Sequence, residues 1–105
     1  MAKTTTIKLS RAYLDGEITE VILREPTLDE YMAHGDVFTT FAVGVETRTT
    51  ENDAAIRRYV DLLVVMPEMV YVNKLELADA MAIRSAILSF FTQAREKLQQ
   101  AAPTL

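Results

Sequence analysis

Leu23-Arg24-Glu25-Pro26-Thr27-Leu28-Asp29-Glu30 decides how this chain divides. Pro26 keeps Glu25 extended, because the proline ring disfavours helical backbone in the residue before it. Thr27 and Glu30 stand three apart and form a capping box, in which each side chain satisfies an orphan backbone donor at a helix start. Asp29 and Glu30 add negative charge where the helix dipole is positive. A strand therefore ends at residue 23 and a helix starts at Leu28. Gly35 supplies a left-handed stop, so this helix is short, from Leu28 to His34.

Upstream, Thr4-Thr5-Thr6-Ile7-Lys8-Leu9-Ser10 is β-branched and alternates around Ile7 and Leu9. Glu17-Ile18-Thr19-Glu20-Val21-Ile22-Leu23 again mixes polar and β-branched residues. Asp15-Gly16 lies between them and readily takes the positive φ angles of a tight turn. Residues 4–23 thus read as a β-hairpin. Two strands alone are marginal in water, so the hairpin has to pack on helices or pair through an edge.

Downstream, residues 36–50 are apolar but poor in helix formers, then polar. They fit an extended loop, a third strand or an insertion. A long helix follows, capped by Asn52 or Thr50, with Ile56, Tyr59, Val60, Leu63 and Val64 at helical spacing. Its expected span is residues 56–66, with Pro67 as the terminator. Residues 67–73 read as a helical turn opening at the proline. A last helix runs from Leu75 or Glu76 to Gln100. Leu77, Ala80, Met81, Arg84, Ile87, Leu88 and Phe91 form its expected stripe, widened by Ile83 and Phe90. The expected fold is α+β, an N-terminal β-hairpin packed on a small bundle of three to four helices, with residues 28–100 mainly helical.

Composition narrows the function. The chain has 105 residues, 50% hydrophobic and 25% charged, with a formal net charge of −4. One domain of that size buries a real core but little else. The acidic balance disfavours a sequence-independent nucleic-acid binder, which needs a basic face to displace phosphate counterions. The absence of cysteine removes disulfides and thiolate chemistry and suits a reducing compartment. The N-terminal residues have no apolar signal core, and residues 60–66, broken by Asp61, are far too short to span a bilayer. These features point to a soluble cytoplasmic protein that uses neither membrane nor nucleic acid.

Chemistry is sparse. His34, the single histidine, lies at a helix C-terminus, where an imidazolium favours the negative helix end; a general base or metal ligand is the less favoured role. The three glycines are scattered, and no Ser-His-Asp order, HExxH, Walker loop or GxGxxG occurs. Glu25 with Asp29 and Glu30, and Glu76 with Asp79, fall at expected helix starts, where carboxylates are favourable without any catalytic duty. Arg57 and Arg58 lie among acidic neighbours on an expected solvated face. No catalytic residue, cofactor site or metal site is expected, and no enzyme. Met66, Met69, Met81, Tyr59, Tyr71, Phe90 and Phe91 are core residues by default. Methionines and aromatics also make adaptable surfaces for apolar partners. Met66, Met69, Tyr71 and Phe90 are the candidates for partial exposure along a groove between the helix of residues 56–66 and the last helix.

Taken in order, these features resemble the tail assembly chaperones of Mu-like and related contractile-tailed phages. The resemblance spans roughly residues 5–92. Its most specific part is Leu23-Arg24-Glu25-Pro26-Thr27 with Asp29. The helix, Pro67 break, Asp79 and Phe90-Phe91 follow in the family's order. The turn is longer than in the family, with Arg11-Ala12-Tyr13-Leu14 before Asp15-Gly16, and residues 36–50 fit least. The resemblance implies a host-cytoplasmic protein that binds the tape measure protein, keeps it soluble and helps recruit tail tube subunits, in many phages through a frameshifted longer product. It also implies absence from the finished virion. A minor structural tail protein retained in the particle is the alternative, and a helical DNA-binding regulator is disfavoured by charge. The hairpin's open edges also make a homo-oligomer an expectation.

Overall fold

A computed structural model describes residues 3–101. The fold is α+β, with an N-terminal antiparallel hairpin packed against helices, as expected. Strands β1 (Thr4–Tyr13) and β2 (Ile18–Arg24) pair antiparallel, from Thr4 opposite Arg24 to Lys8 opposite Glu20. The register then shifts, and pairing resumes with Tyr13 opposite Ile18. β1 is therefore longer than expected: Arg11, Ala12 and Tyr13 belong to the strand instead of lengthening the turn. Leu14, Asp15 and Gly16 take φ of 51°, 52° and 89°, so the turn does centre on Asp15-Gly16. Glycine is the residue that adopts such an angle without steric cost.

Helix α1 (Leu28–His34) carries the complete capping box: Thr27 accepts from the Glu30 N–H, and the Thr27 N–H donates to the Glu30 carboxylate at 2.9 Å. Residues 36–50, open between three readings, contain a second hairpin, β3 (Phe38–Val43) with β4 (Glu46–Glu51). Gly44, with φ of 63°, opens its two-residue turn. Residues 28–100 are still mainly helical, with this hairpin placed between α1 and the next helix.

Helix α2 (Asp53–Leu63) starts under Asn52, whose side chain accepts from the Ala55 N–H at 3.1 Å. It stops three residues short of the expected end. Val64-Val65-Met66 forms strand β5 (Val64–Met66), which pairs with β2 through Leu23 opposite Val64 and Ile22 opposite Met66. Two consecutive β-branched valines favour extended backbone. The open edge of β2 supplies the partner that local helical spacing could not reveal. The result is a three-stranded sheet in the order β1-β2-β5. Helix α3 (Met69–Val72) begins after Pro67 rather than at it, and helix α4 (Leu77–Ala101) closes the fold.

The core lies between the sheet, α2 and α4. Val21, Leu23, Tyr59, Leu63 and Ile87 are fully buried there. Burying each such side chain contributes about 1.5–3 kcal/mol. Tyr59 also donates to the Gly35 carbonyl at 2.6 Å, which satisfies the chain beyond α1 from inside the core. Its ring meets Phe91 edge-on at 5.2 Å. The buried face of α4 is Asp79, Ile83, Ile87, Phe90 and Phe91, rotated from the expected stripe. Leu77 and Met81, placed in that stripe by spacing, are 75% and 58% exposed. A charged residue, Asp79, is turned inward on this face.

Candidate functional site

A polar cluster surrounds Asp79. The residue is 3% exposed. The Ser10 N–H donates to Oδ1 at 2.8 Å, and the Ser10 and Tyr13 hydroxyls both donate to Oδ2 at 2.9 Å. All three donors come from β1, with Ser10 inside the irregularity between Lys8 and Tyr13 and Tyr13 at its end. That irregularity frees the Ser10 amide from β2 and offers it to α4. The Tyr13 hydroxyl in turn accepts from the Glu76 N–H at 3.1 Å, one of the unsatisfied donors at the α4 start. Burial pushes the Asp79 carboxyl up, but the Ser10 and Tyr13 hydrogen bonds and the nearby Arg11 charge outweigh it and hold it below its ordinary range. Every lone pair in use is committed to holding β1 on α4. The cluster is a structural fastening.

A second fastening joins the first sheet to α1. Arg24 grips Glu30 through both guanidinium nitrogens, at 2.8 and 2.6 Å, and donates to the Leu62 carbonyl at 3.1 Å. The Arg24 hydrogen bonds lead the effects that bring the Glu30 carboxyl down to about 2, against the opposing push of burial. Arg24 thus ties β2, α1 and the end of α2 together. His34, at the end of α1, packs edge-on against Tyr59, with ring centroids 6.0 Å apart. Arg57 pairs with Asp61 at 3.1 Å along an exposed helix face, and Arg58 is exposed beside it. No group of three or more His, Asp or Glu side chains suited to a metal ion occurs among the described residues.

Two apolar grooves run along opposite halves of α4. The first, about 330 Å³, lies between α2 and the start of α4 and is closed at one end by α3. Ile56, Val60, Val72, Leu75 and Ile83 contribute to its walls, and Leu77 and Met81 stand exposed beside them. Arg57, Asp53 and Arg84 give it a charged rim. Arg84 is held there by Glu51 at 2.6 Å and Asp53 at 2.7 Å. The second, about 410 Å³, lies between α1 and the distal half of α4, with Pro26, Tyr31, Phe91, Ala94 and Leu98 along it.

The expected groove between α2 and α4 exists, but the four residues assigned to it do not line it. Met66 is 57% exposed on strand β5, away from the groove, because the helix that was to carry it ends at Leu63. Met69 is half-buried against the core, and Tyr71 is half-buried on α3. Phe90 is 8% exposed and belongs to the core; its edge reaches the other groove. Of the residues that do line the α2–α4 groove, Ile56, Val60, Leu77, Met81 and Ile83 were legible as stripe members of their own helices. Leu77 and Met81 are exposed because the buried face at the start of α4 runs through Asp79 and Ile83.

No helix among the described residues is long and apolar enough to cross a membrane. Comparisons with protein-family models, with curated proteins and with solved structures found no match to this chain.

Proposed function

We propose that the protein is a non-enzymatic tail assembly chaperone that holds the phage tape measure protein in the host cytoplasm and helps recruit tail tube subunits to it. The observation that carries this reading is the open apolar groove between α2 and α4, with Leu77 and Met81 exposed beside it. A long helical client with apolar stripes is recognised by laying one stripe into such a groove. The resemblance at Leu23-Arg24-Glu25-Pro26-Thr27 supplies the client's identity, and the Arg24–Glu30 and Thr27–Glu30 bonds give that stretch a structural task at a distance from the groove. A protein acting this way holds its client by mass action, favouring the soluble bound state over aggregation.

Co-expression with the tape measure protein tests it. Leu77→Glu and Met81→Glu change exposed side chains, so both variants keep the circular dichroism of the parent. Both are expected to lose the power to keep the client soluble. A client that stays soluble with both variants refutes the groove as its site. Mass spectrometry of purified virions separates the minor structural tail protein, which would be present in the particle, from the chaperone, which is absent.

A further inference from the structure

Helix α1 is inside out. Glu30 and His34, on one face, turn toward the body of the protein, where Glu30 meets Arg24 and His34 meets Tyr59. Leu28 and Met32, on the other, are 74% and 73% exposed. Tyr31 flanks them and leans on Phe91, 6.1 Å away, at the mouth of the second groove. Across that groove, α4 runs on past its last buried residue. Its 25 residues extend about 37 Å, and residues 92–100 are exposed throughout. Ala94 and Leu98, one helical turn apart, continue the apolar face of Ile87 and Phe91 into solvent, with Leu98 71% exposed.

The two exposed strips differ in charge. The α1 strip is bordered by Asp29 in the adjacent position and by Glu25 in the groove wall. The α4 strip is bordered by Lys97 on one side and Arg95 on the other. Arg95 pairs with Asp36 within the molecule, whereas neither Asp29 nor Lys97 makes an ion pair among the described residues. One chain therefore carries, side by side, an acidic-edged apolar strip and a basic-edged apolar strip of similar length. That is the requirement of an isologous interface, where patch i meets patch j and patch j meets patch i around a two-fold axis.

We infer that a second copy of this chain covers the cleft between α1 and the distal half of α4. In this dimer Leu28 and Met32 of each copy lie on Ala94 and Leu98 of the other, with Asp29 opposite Lys97. The interface uses the half of α4 that the client groove leaves free, and it forms without any client. It is therefore tested on the isolated protein, independently of the proposed function.

Analytical ultracentrifugation of the full chain provides the test. The parent protein is expected to be a dimer that dissociates on dilution. Met32→Asp and Leu98→Asp alter exposed positions and should keep native circular dichroism while weakening dimerisation at least tenfold. Asp29→Lys alone and Lys97→Glu alone should each weaken it several-fold, and the double reversal should restore it. A parent that stays monomeric at high concentration overturns the inference and leaves the cleft to a different protein. A dimer indifferent to Met32→Asp and Leu98→Asp also overturns it, since the copies then meet elsewhere, as along the free edge of β1. A double reversal no tighter than its single variants overturns the proposed pairing.

Discussion

The two hairpins of this protein use the same local devices and end in opposite circumstances. Each has two antiparallel strands joined by a glycine-containing turn. In the first, Ile18, Val21 and Leu23 are buried, Asp79 fastens β1 to α4, and β5 extends the sheet. In the second, only Phe38 is half-buried, and every residue from 39 to 51 is exposed, including Phe41 and Val43 at 45% each. The β3–β4 hairpin is held at its base, where the Asn52 N–H donates to the Val37 carbonyl at 2.7 Å and Arg84 reaches Glu51. Strand pairing alone does not decide whether a hairpin is part of a core. What decides it is whether one face alternates apolar residues toward something they can cover.

The largest expected effect that sharpens this contrast is at Leu23. Leu23→Ala removes a fully buried side chain between the sheet and α2, and urea unfolding should show a loss of about 2–5 kcal/mol. Next comes the Asp79 fastening. Asp79→Ala strands the Ser10 amide and the Tyr13 hydroxyl and should lower the melting temperature clearly, whereas Glu76→Ala, which removes an exposed pair with Arg11 and a long exposed contact from the Ser10 hydroxyl, should barely move it. Equal shifts from the two variants would show that the cluster does not hold the hairpin to α4.

Acid should separate the regions in the same way. Glu30, held down at about 2, and Asp79, held below its ordinary range, bind fewer protons folded than unfolded. Their stabilisation is complete above the ordinary carboxylate range and is lost as pH falls through it, for Glu30 toward about 2. Glu30→Gln should flatten that part of the stability–pH curve and cost about 1–3 kcal/mol at neutral pH, as charge-assisted hydrogen bonds are lost. An unchanged slope would refute the Arg24–Glu30 junction as a source of acid sensitivity. Thr27→Ala, which removes the cap but not the ion pair, should cost about 1 kcal/mol. The smallest effect belongs to the second hairpin: Phe41→Ser should stay within about 0.5 kcal/mol. A greater loss there would break the comparison, because it would mean that the arm packs on the body after all.

Much of the fold was legible. The capping box at Thr27 and Glu30, the stop at Gly35, the turn at Asp15-Gly16 and the cap at Asn52 stand where local chemistry put them. The errors share one cause. Val64-Val65-Met66 continues the helical spacing of α2, yet its neighbour β2 turns it into a strand. Leu77 and Met81 continue the spacing of Ile87 and Phe91, yet the buried face there runs through Asp79 and Ile83. Met66 leaves the groove between α2 and α4 for the first reason, and Leu77 and Met81 stand exposed at it for the second.

What the sequence determined by itself is local: where strands and helices begin, how their ends are capped, and which turns need a positive φ. Those features depend on backbone sterics and on hydrogen bonds between residues a few positions apart, so they can be read from neighbours in the chain. Only the tertiary structure decided which face of α4 is buried, that β5 is a strand, and that one hairpin joins the core while the other stands out from it. Each of those outcomes rests on a partner distant in sequence, as Ser10 is from Asp79 and Leu23 from Val64. A buried carboxylate is tolerated only when such donors are assembled around it, and no spacing rule along one helix reports them.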